Sequence, residues 1–506
     1  MKRIFIKSNH KILQTSIVVH WQLLCGLLTA SVFVVMNSNA QPLTLSDAVR
    51  IGLDNNERIQ QYREVVEEKK SNNLEAWGNF LPTLNFVGSY NHLNDPIEMN
   101  LDPIRSAMIQ LQAGNQVEMT NIYSLIQTQT PLTTAQRTAL YTQYTSNLNS
   151  LIPQFTEELK KRDYKMATLV AVQPLFTGGK LIAAKKYASA EKRASEGELQ
   201  KVQNEVTAEI VDNYLAVVLL NDVVKTRADV LRGMERHRED AKRMFEEGLI
   251  AKHHYLRAEV AVAEAERNLS DDRNKLALAM LALKYSLNFP GDHSITIADT
   301  LIFVPVSDSI DVLKANASTS QPILQMIADK KVAVDQKYVA ERAEFLPTVA
   351  VFGKYEMYPE YLSILEPRWV VGVQVSMNLF NGFRNYERLQ SSIHLRNQVE
   401  HLENDTKNRI DLWLEKAHED VANARERYQK LEKNKELAEE NLRVNSTRFE
   451  TGLSTSLEVI DAQLSLEKIL LDRENTMFEY YKSLTDLYLA AGQPQQILTI
   501  WNTKGF

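Results

Sequence analysis

Between Ile410 and Leu431 the apolar positions recur in steps of four and three: Ile410, Leu414, Ala417, Val421, Ala424, Tyr428 and Leu431. Such spacing lays a narrow apolar seam along one side of a helix, as in a coiled coil. The seam sits in a stretch without Gly or Pro from Phe383 to Thr451. Leu249–Phe289 and Leu453–Ala491 lack both residues too, and only Gly197 and Gly233 interrupt Lys180–Glu247. Rich in Glu, Lys, Ala, Leu and Gln, these stretches predict helices. The longest, at about 65 residues and 1.5 Å per residue, would extend about 100 Å. That exceeds an ordinary globular domain.

Elsewhere the period falls to two. Val371, Val373, Val375, Met377 and Leu379 alternate with Gly372, Gln374, Ser376 and Asn378, predicting a strand with one apolar face. Leu84, Phe86, Gly88, Tyr90 and Val349, Val351, Gly353, Tyr355 predict two more, and Ala167–Phe176 a fourth.

The pattern occurs twice. Subtracting 204 carries the first seam onto Val206, Ile210, Asn213, Val217, Leu220 and Val224. It also carries Leu379-Phe380-Asn381-Gly382 onto Leu175-Phe176-Thr177-Gly178, and Phe449-Glu450-Thr451-Gly452-Leu453 onto Phe245-Glu246-Glu247-Gly248-Leu249. Upstream the offset becomes 265, aligning Phe80-Leu81-Pro82-Thr83 with Phe345-Leu346-Pro347-Thr348. The chain is an internal duplication of helix, strand, strand, long helix, turn, shorter helix. The first copy holds extra residues within roughly 91–165. Ser46–Gly78 and His254–Asn288 placed end to end match Lys180–Glu247 in length. Ile310–Glu344 with Thr455–Ala490 slightly exceed Arg384–Arg448, and Pro322 is expected to break Ile310–Glu344 near its start, which makes that sum an upper bound. Each chain then offers four columns of about 100 Å.

Glycine usage agrees: 17 of 506 residues, against the usual ~7%, leaves few tight turns. The formal charge of −6 argues against a nucleic-acid-binding surface. Lys2, Arg3, Lys7 and Lys11 precede an apolar run from Ile17 to Met36, and Ser38-Asn39-Ala40 supplies small residues for cleavage before Gln41. Residues 1–40 therefore read as a signal peptide, with a membrane anchor as the alternative. Its loss takes four positive charges with it, moving the formal charge from −6 to −10. Cys25, the only cysteine, lacks the small preceding residue that acylation requires, and cleavage would leave no thiol chemistry. After Gln41 no apolar run is long enough for a spanning helix.

An apolar-faced strand suits a membrane barrel. An open four-stranded sheet cannot persist in lipid, where every backbone group must be paired, so several chains would have to pool strands: two give eight, three give twelve. The alternative is a soluble sheet packed on helices. Tyr355, Tyr358, Tyr361 and Trp369 crowd the loop between the last two strands, as an interfacial aromatic girdle would, or as ordinary packing. The duplicated pattern resembles the TolC-type outer-membrane efflux family. So do Leu43-Thr44-Leu45-Ser46-Asp47-Ala48-Val49, Asn55-Asn56, Phe80-Leu81-Pro82-Thr83, Gln173-Pro174-Leu175-Phe176, Arg448-Phe449-Glu450-Thr451-Gly452 and Asp461-Ala462-Gln463. The resemblance covers nearly all of the chain after the leader. It implies a mainly α fold with a membrane β-barrel: a homotrimer with a 12-stranded barrel in outer-membrane lipid on a 12-helix periplasmic tunnel. It also implies a periplasmic adaptor and an inner-membrane pump as partners, and passive export of drugs, other small molecules or proteins. No cofactor, metal or nucleic acid is called for. The expected layout is a first repeat at 41–290, a linker at 291–308, a second repeat at 309–492 and a tail at 493–506. The rival reading is a periplasmic coiled-coil structural or adaptor protein without a barrel. The pump class and the exported compound stay open.

The turns at Gly248 and Gly452 suit left-handed helix caps, and Thr455 with Glu458 has capping-box spacing. In the family such turns, here Gly248-Leu249-Ile250 and Gly452-Leu453-Ser454, dock the adaptor. Glu458 and Asp461 share a helix face, where family members place acidic rings at the tunnel constriction. A solvated acidic face is the plainer reading. Ser454 stands at the position of a family gating arginine and His254 at that of its acidic partner, which puts a salt-bridge lock in doubt. His253 and His254 adjoin, but consecutive helix residues do not share a face, so a metal site is not expected. No His-Glu-x-x-His, P-loop, dinucleotide fingerprint or nucleophile elbow is present, and no enzymatic activity is expected. The Asp and Glu residues read as solvated helix faces. The insertion reads as a bulky external loop rather than a surface-binding lid.

Overall fold

The computed structural model describes residues 42–503. The leader and its cleavage site, and the last three residues of the tail, lie outside the described residues. Two compact units are present: residues 42–60, 201–321 and 410–503 form one, and 61–200 with 322–409 the other. The elements run α1 (Leu45–Asn55), α2 (Glu57–Gly78), β1 (Thr83–His92), β2 (Ile97–Asn100), α3 (Asp102–Thr128), α4 (Thr134–Leu151), β3 (Thr156–Lys160), β4 (Asp163–Phe176), α5 (Lys180–Glu246) and α6 (Lys252–Ser286). The second repeat follows with α7 (Ile310–Ser320), α8 (Pro322–Ala343), β5 (Thr348–Glu356), β6 (Trp369–Ser376), α9 (Arg384–Glu450) and α10 (Ser456–Ala490). A short α11 (Gln496–Asn502) ends the chain.

Both long helices, α5 and α9, contain 67 residues, about 100 Å each. The break expected at Pro322 is present, and the first copy breaks at the equivalent place without a proline. At 11 and 22 residues, α1 and α2 match α7 and α8 at the offset of 265. The reading of Ser46–Gly78 as one helix is corrected here. Asn56 leaves helical geometry, and its Oδ1 accepts from the N–H groups of Arg58 and Ile59 at 2.9 and 3.3 Å, capping α2.

In the second unit four antiparallel strands pair in the order β1-β4-β5-β6. Registers Leu84↔Ala171↔Gly353↔Val371 and Phe86↔Leu169↔Tyr355↔Trp369 carry one face across all four strands. That face also holds Val349, Val351, Val373 and Val375; it is open on the edge strands, where Phe86 is 64% exposed and Val373 63%, while Val349 and Val351 on β5 are half-buried. The opposite face carries Asn85, Ser89, Thr168, Lys354 and Gln374 among its apolar residues. Strand β6 ends at Ser376, so Met377 and Leu379 fall outside it. Strand β4 starts at Asp163, four residues earlier than its alternation suggests. Of the four expected girdle residues, Tyr355, Tyr358 and Trp369 are exposed. Tyr361 is buried, stacked on Tyr164 at 5.3 Å and donating to Glu356 Oε2 at 2.7 Å. Tyr361 thus belongs to ordinary packing.

The insertion is structured. A β2–β3 ribbon leads into the antiparallel pair α3 and α4. Pro103 occupies the first turn of α3, and Thr133 and Gln136 form a capping box that opens α4.

The other unit centres on α5, α6 and α10. Its aromatic core clasps the segment between the repeats. Tyr480 Oη donates to Val304 O at 3.0 Å and accepts from Val306 N–H at 2.9 Å. Tyr481 donates to Ile302 O, Tyr488 to Asp308, and both Tyr214 and Trp501 to Asp299. These side chains satisfy an extended segment that has no ladder of its own.

Candidate functional site: the two helix turns

Both turns close in one way. Gly248 (φ +76°) donates to Phe245 O and Leu249 to Met244 O; Gly452 (φ +74°) donates to Phe449 O and Leu453 to Arg448 O. This pair of bonds is the Schellman cap, and glycine adopts its left-handed position without Cβ strain. The turns project Leu249 and Leu453, 65% and 70% exposed. Ile250 instead packs against Ala241, Ala258, Phe449 and Val459.

Helix α10 starts from Thr455 with a complete capping box. Glu458 N–H reaches Thr455 Oγ1 at 3.3 Å, and Glu458 Oε2 accepts from Thr455 N–H at 2.7 Å and Ser454 Oγ at 2.6 Å. The Ser454 hydroxyl foremost, then the Thr455 N–H, holds the Glu458 carboxyl below its ordinary value. Glu458 and Asp461 lie together on the exposed face, while Val459, Ile460 and Ala462 turn inward. The first copy differs. At the offset of 204, His254 stands for Glu458 and Arg257 for Asp461, and α6 begins at Ala251 without a side-chain cap. His253 and His254 bring their rings to 4.0 Å despite their adjacency. Burial first, then His253 and Arg257, lowers the His254 pKa, and its Nδ1 is buried without a hydrogen-bond partner. No metal-ligating group of three or more residues occurs among the described residues. Ser454 and His254 make no contact with each other among the described hydrogen bonds; Ser454 is engaged by Glu458.

Behind the turns, a cavity of about 480 Å³ is lined by His237, Asp240, Arg443, Phe449, Val459 and Gln463. His237 Nε2 lies 2.7 Å from Ser456 Oγ and its ring 4.7 Å from Phe449, so it fastens the first turn of α10 to α5. The sequence reading missed His237, whose partners are more than 200 residues away. The expectation that the Asp and Glu residues form solvated helix faces is corrected at three positions. Asp272 and Glu467 are buried and share Arg227, and Lys275 adds a second bond to Asp272 at 2.7 Å. Buried Glu474 accepts from Thr226 Oγ1 at 2.7 Å.

A family model described as outer membrane efflux protein matches residues 138–288 and 315–493. The chain belongs to this family. The family is channel-type and is not one of enzymes. One matched segment falls in each half of the duplication. Among solved structures, the outer membrane protein VceC of Vibrio cholerae is 17% identical, with 89% of this chain and 96% of that chain covered and a TM-score of 0.67. The open-state MtrE outer membrane channel of Neisseria gonorrhoeae is 15% identical, covering 89% of both chains, with a TM-score of 0.65. The CmeC outer membrane channel of Campylobacter jejuni is 13% identical, covering 88% and 85%, with a TM-score of 0.64. At these identities the likeness is one of fold. No curated protein matches the chain by sequence. Among the described residues no helix is long and apolar enough to cross a membrane.

Proposed function

We propose that this outer-membrane efflux family member is the exit duct of a tripartite efflux or type I secretion system. Three copies pool four strands each into a 12-stranded barrel, with the helices forming a periplasmic tunnel. The sheet is the observation that carries this reading. Its apolar face runs in register across four strands, exposed on β1 and β6 and half-buried on most of β4 and β5, and β1 and β6 are both edges. In lipid such edges must be paired. Successive strands are antiparallel, so β6 runs opposite to β1 and can receive β1 of a neighbouring copy. In this reading conduction is passive. The layout follows the repeats: 41–290, a linker at 291–308, 309–492, and a tail at 493–506 behind a leader of 1–40.

In this reading the turns 248–250 and 452–454 meet the adaptor, which couples the duct to an inner-membrane pump. Glu458 and Asp461 from three copies ring the constriction. His254 and Ser454 stand at the gate without a salt-bridge lock. Outer-membrane fractionation with chemical cross-linking tests the duct. Trimers in the outer membrane support it, and a soluble periplasmic chain would favour the coiled-coil structural rival.

A further inference from the structure

The α3–α4 hairpin carries two opposed apolar faces on α3. One, with Ile109, Ala113, Val117 and Asn121, is buried within the hairpin. The other runs Ile104, Met108, Leu111, Met119, Ile122 and Ile126, each more than half exposed. Its steps, with Asn115 between Leu111 and Met119, average close to the helical repeat, so the stripe stays on one side for about 33 Å. The hairpin under it is firmly closed. Arg105 donates to Ile152 O at 2.9 and 2.6 Å and to Asn149 O at 2.9 Å, and Arg137 pairs with Glu118 at 3.2 Å.

We propose that this stripe docks on the same stripe of two further copies of the chain, making a three-helix core outside the barrel. The proposal rests on the trimeric duct reading and adds an interface to it. Three observations choose this occupant. Between Asp102 and Leu151 the only charged residues are Asp102, Arg105, Glu118 and Arg137. A helix lying on a lipid surface would carry a cationic face, and this one does not. The stripe is also narrow and one helix long. It suits chains already tethered, whose effective concentration is high. The tether is continuous with the stripe: β1 and β4 lead through the β2–β3 ribbon directly into α3 and α4, and Leu93 N–H donates to Arg162 O at 2.7 Å. Lastly, Asn115 places one polar layer within the apolar stripe, the device by which bundled helices fix register.

The test is disulfide trapping in isolated outer membranes. Asn115→Cys should form inter-chain dimers under mild oxidant, several-fold more than Gln143→Cys on the exposed side of α4. A double variant, Met119→Asp with Ile122→Asp, should lower the trapped fraction of Asn115→Cys without unfolding the hairpin, which buries neither residue. The same samples are cross-linked chemically for barrel trimers. Trimers with unlinked Asn115→Cys overturn this proposal and leave the duct standing. Absence of trimers overturns both. Equal linking at Gln143→Cys would mark random collision and also overturns it.

Discussion

Glu458 Oε2 accepts three hydrogen bonds, from Ser454 Oγ, Thr455 N–H and Thr455 Oγ1, so one carboxylate both caps α10 and holds a negative charge beside Asp461. The two duties separate by substitution. Glu458→Gln with Asp461→Asn keeps a capping oxygen and removes both charges. In planar-bilayer recordings this pair should lower cation preference and weaken block by trivalent cations, with helix content unchanged. Wild-type selectivity and block would place both carboxylates away from the conduction path. A second residue-scale expectation concerns Glu474. Burial foremost, with Asp222 adding, pushes its carboxyl up to about 7, while Thr226, Arg473 and Lys225 act the other way. Oε2 is buried without a hydrogen-bond partner. The native state therefore holds a proton that the unfolded chain releases at ordinary carboxyl pH. That contribution is full below the unfolded value, and it is lost as pH rises through about 7. Glu474→Gln should then raise Tm above pH 7, by at most about 3 kcal/mol in stability, and change little near pH 4. Equal Tm shifts at both pH values would mean that packing, not protonation, governs the site.

The helices were legible because α5 and α9 are long, poor in Gly and free of Pro, and the duplication made each copy a check on the other. Strands β1, β5 and β6 were legible from two-residue alternation. The α3–α4 pair was not, since Gln, Thr and Asn dilute its apolar contrast; Pro103 and the Thr133-x-x-Gln136 box were the signals available. The tyrosine clasp was not legible either. Its partners lie some 175 residues apart, as Tyr480 and Val306 do, and no local pattern marks such a bond. Tyr480→Phe would strip Val306 N–H and Val304 O of their partner, at about 1–3 kcal/mol if both stay buried. Limited proteolysis should then cut within 300–308 faster than in the parent, and an unchanged rate would show that Trp501 and the other tyrosines suffice. For the sheet, Val373→Arg on the open apolar face should cost roughly 2–4 kcal/mol at mid-membrane and impair assembly, whereas Gln374→Arg should assemble. Heat-modifiability on gels reads the difference, and the reverse result would exchange the two faces.

The number of copies is a whole-molecule question that one chain poses through its edges. Because β1 and β6 are antiparallel to each other, head-to-tail closure gives an all-antiparallel barrel for any copy number: eight strands from two chains, twelve from three. The 100 Å helices do not decide between them, but covalent trapping does. Gln374 on β6 and Asn85, Val87 and Ser89 on β1 all lie on the face opposite Val373, so a cysteine at Gln374 can meet one of the three across a β1–β6 junction. One of the double variants, Asn85→Cys, Val87→Cys or Ser89→Cys with Gln374→Cys, should link under oxidant, and the matching single variants should not. A head-to-tail ring of three links into a covalent trimer and no further. A ring of two stops at the dimer, which would replace the twelve-stranded barrel by an eight-stranded one. Linking of the β1 single variants alone would instead mean that β1 pairs with β1, an isologous edge that the duct reading does not allow.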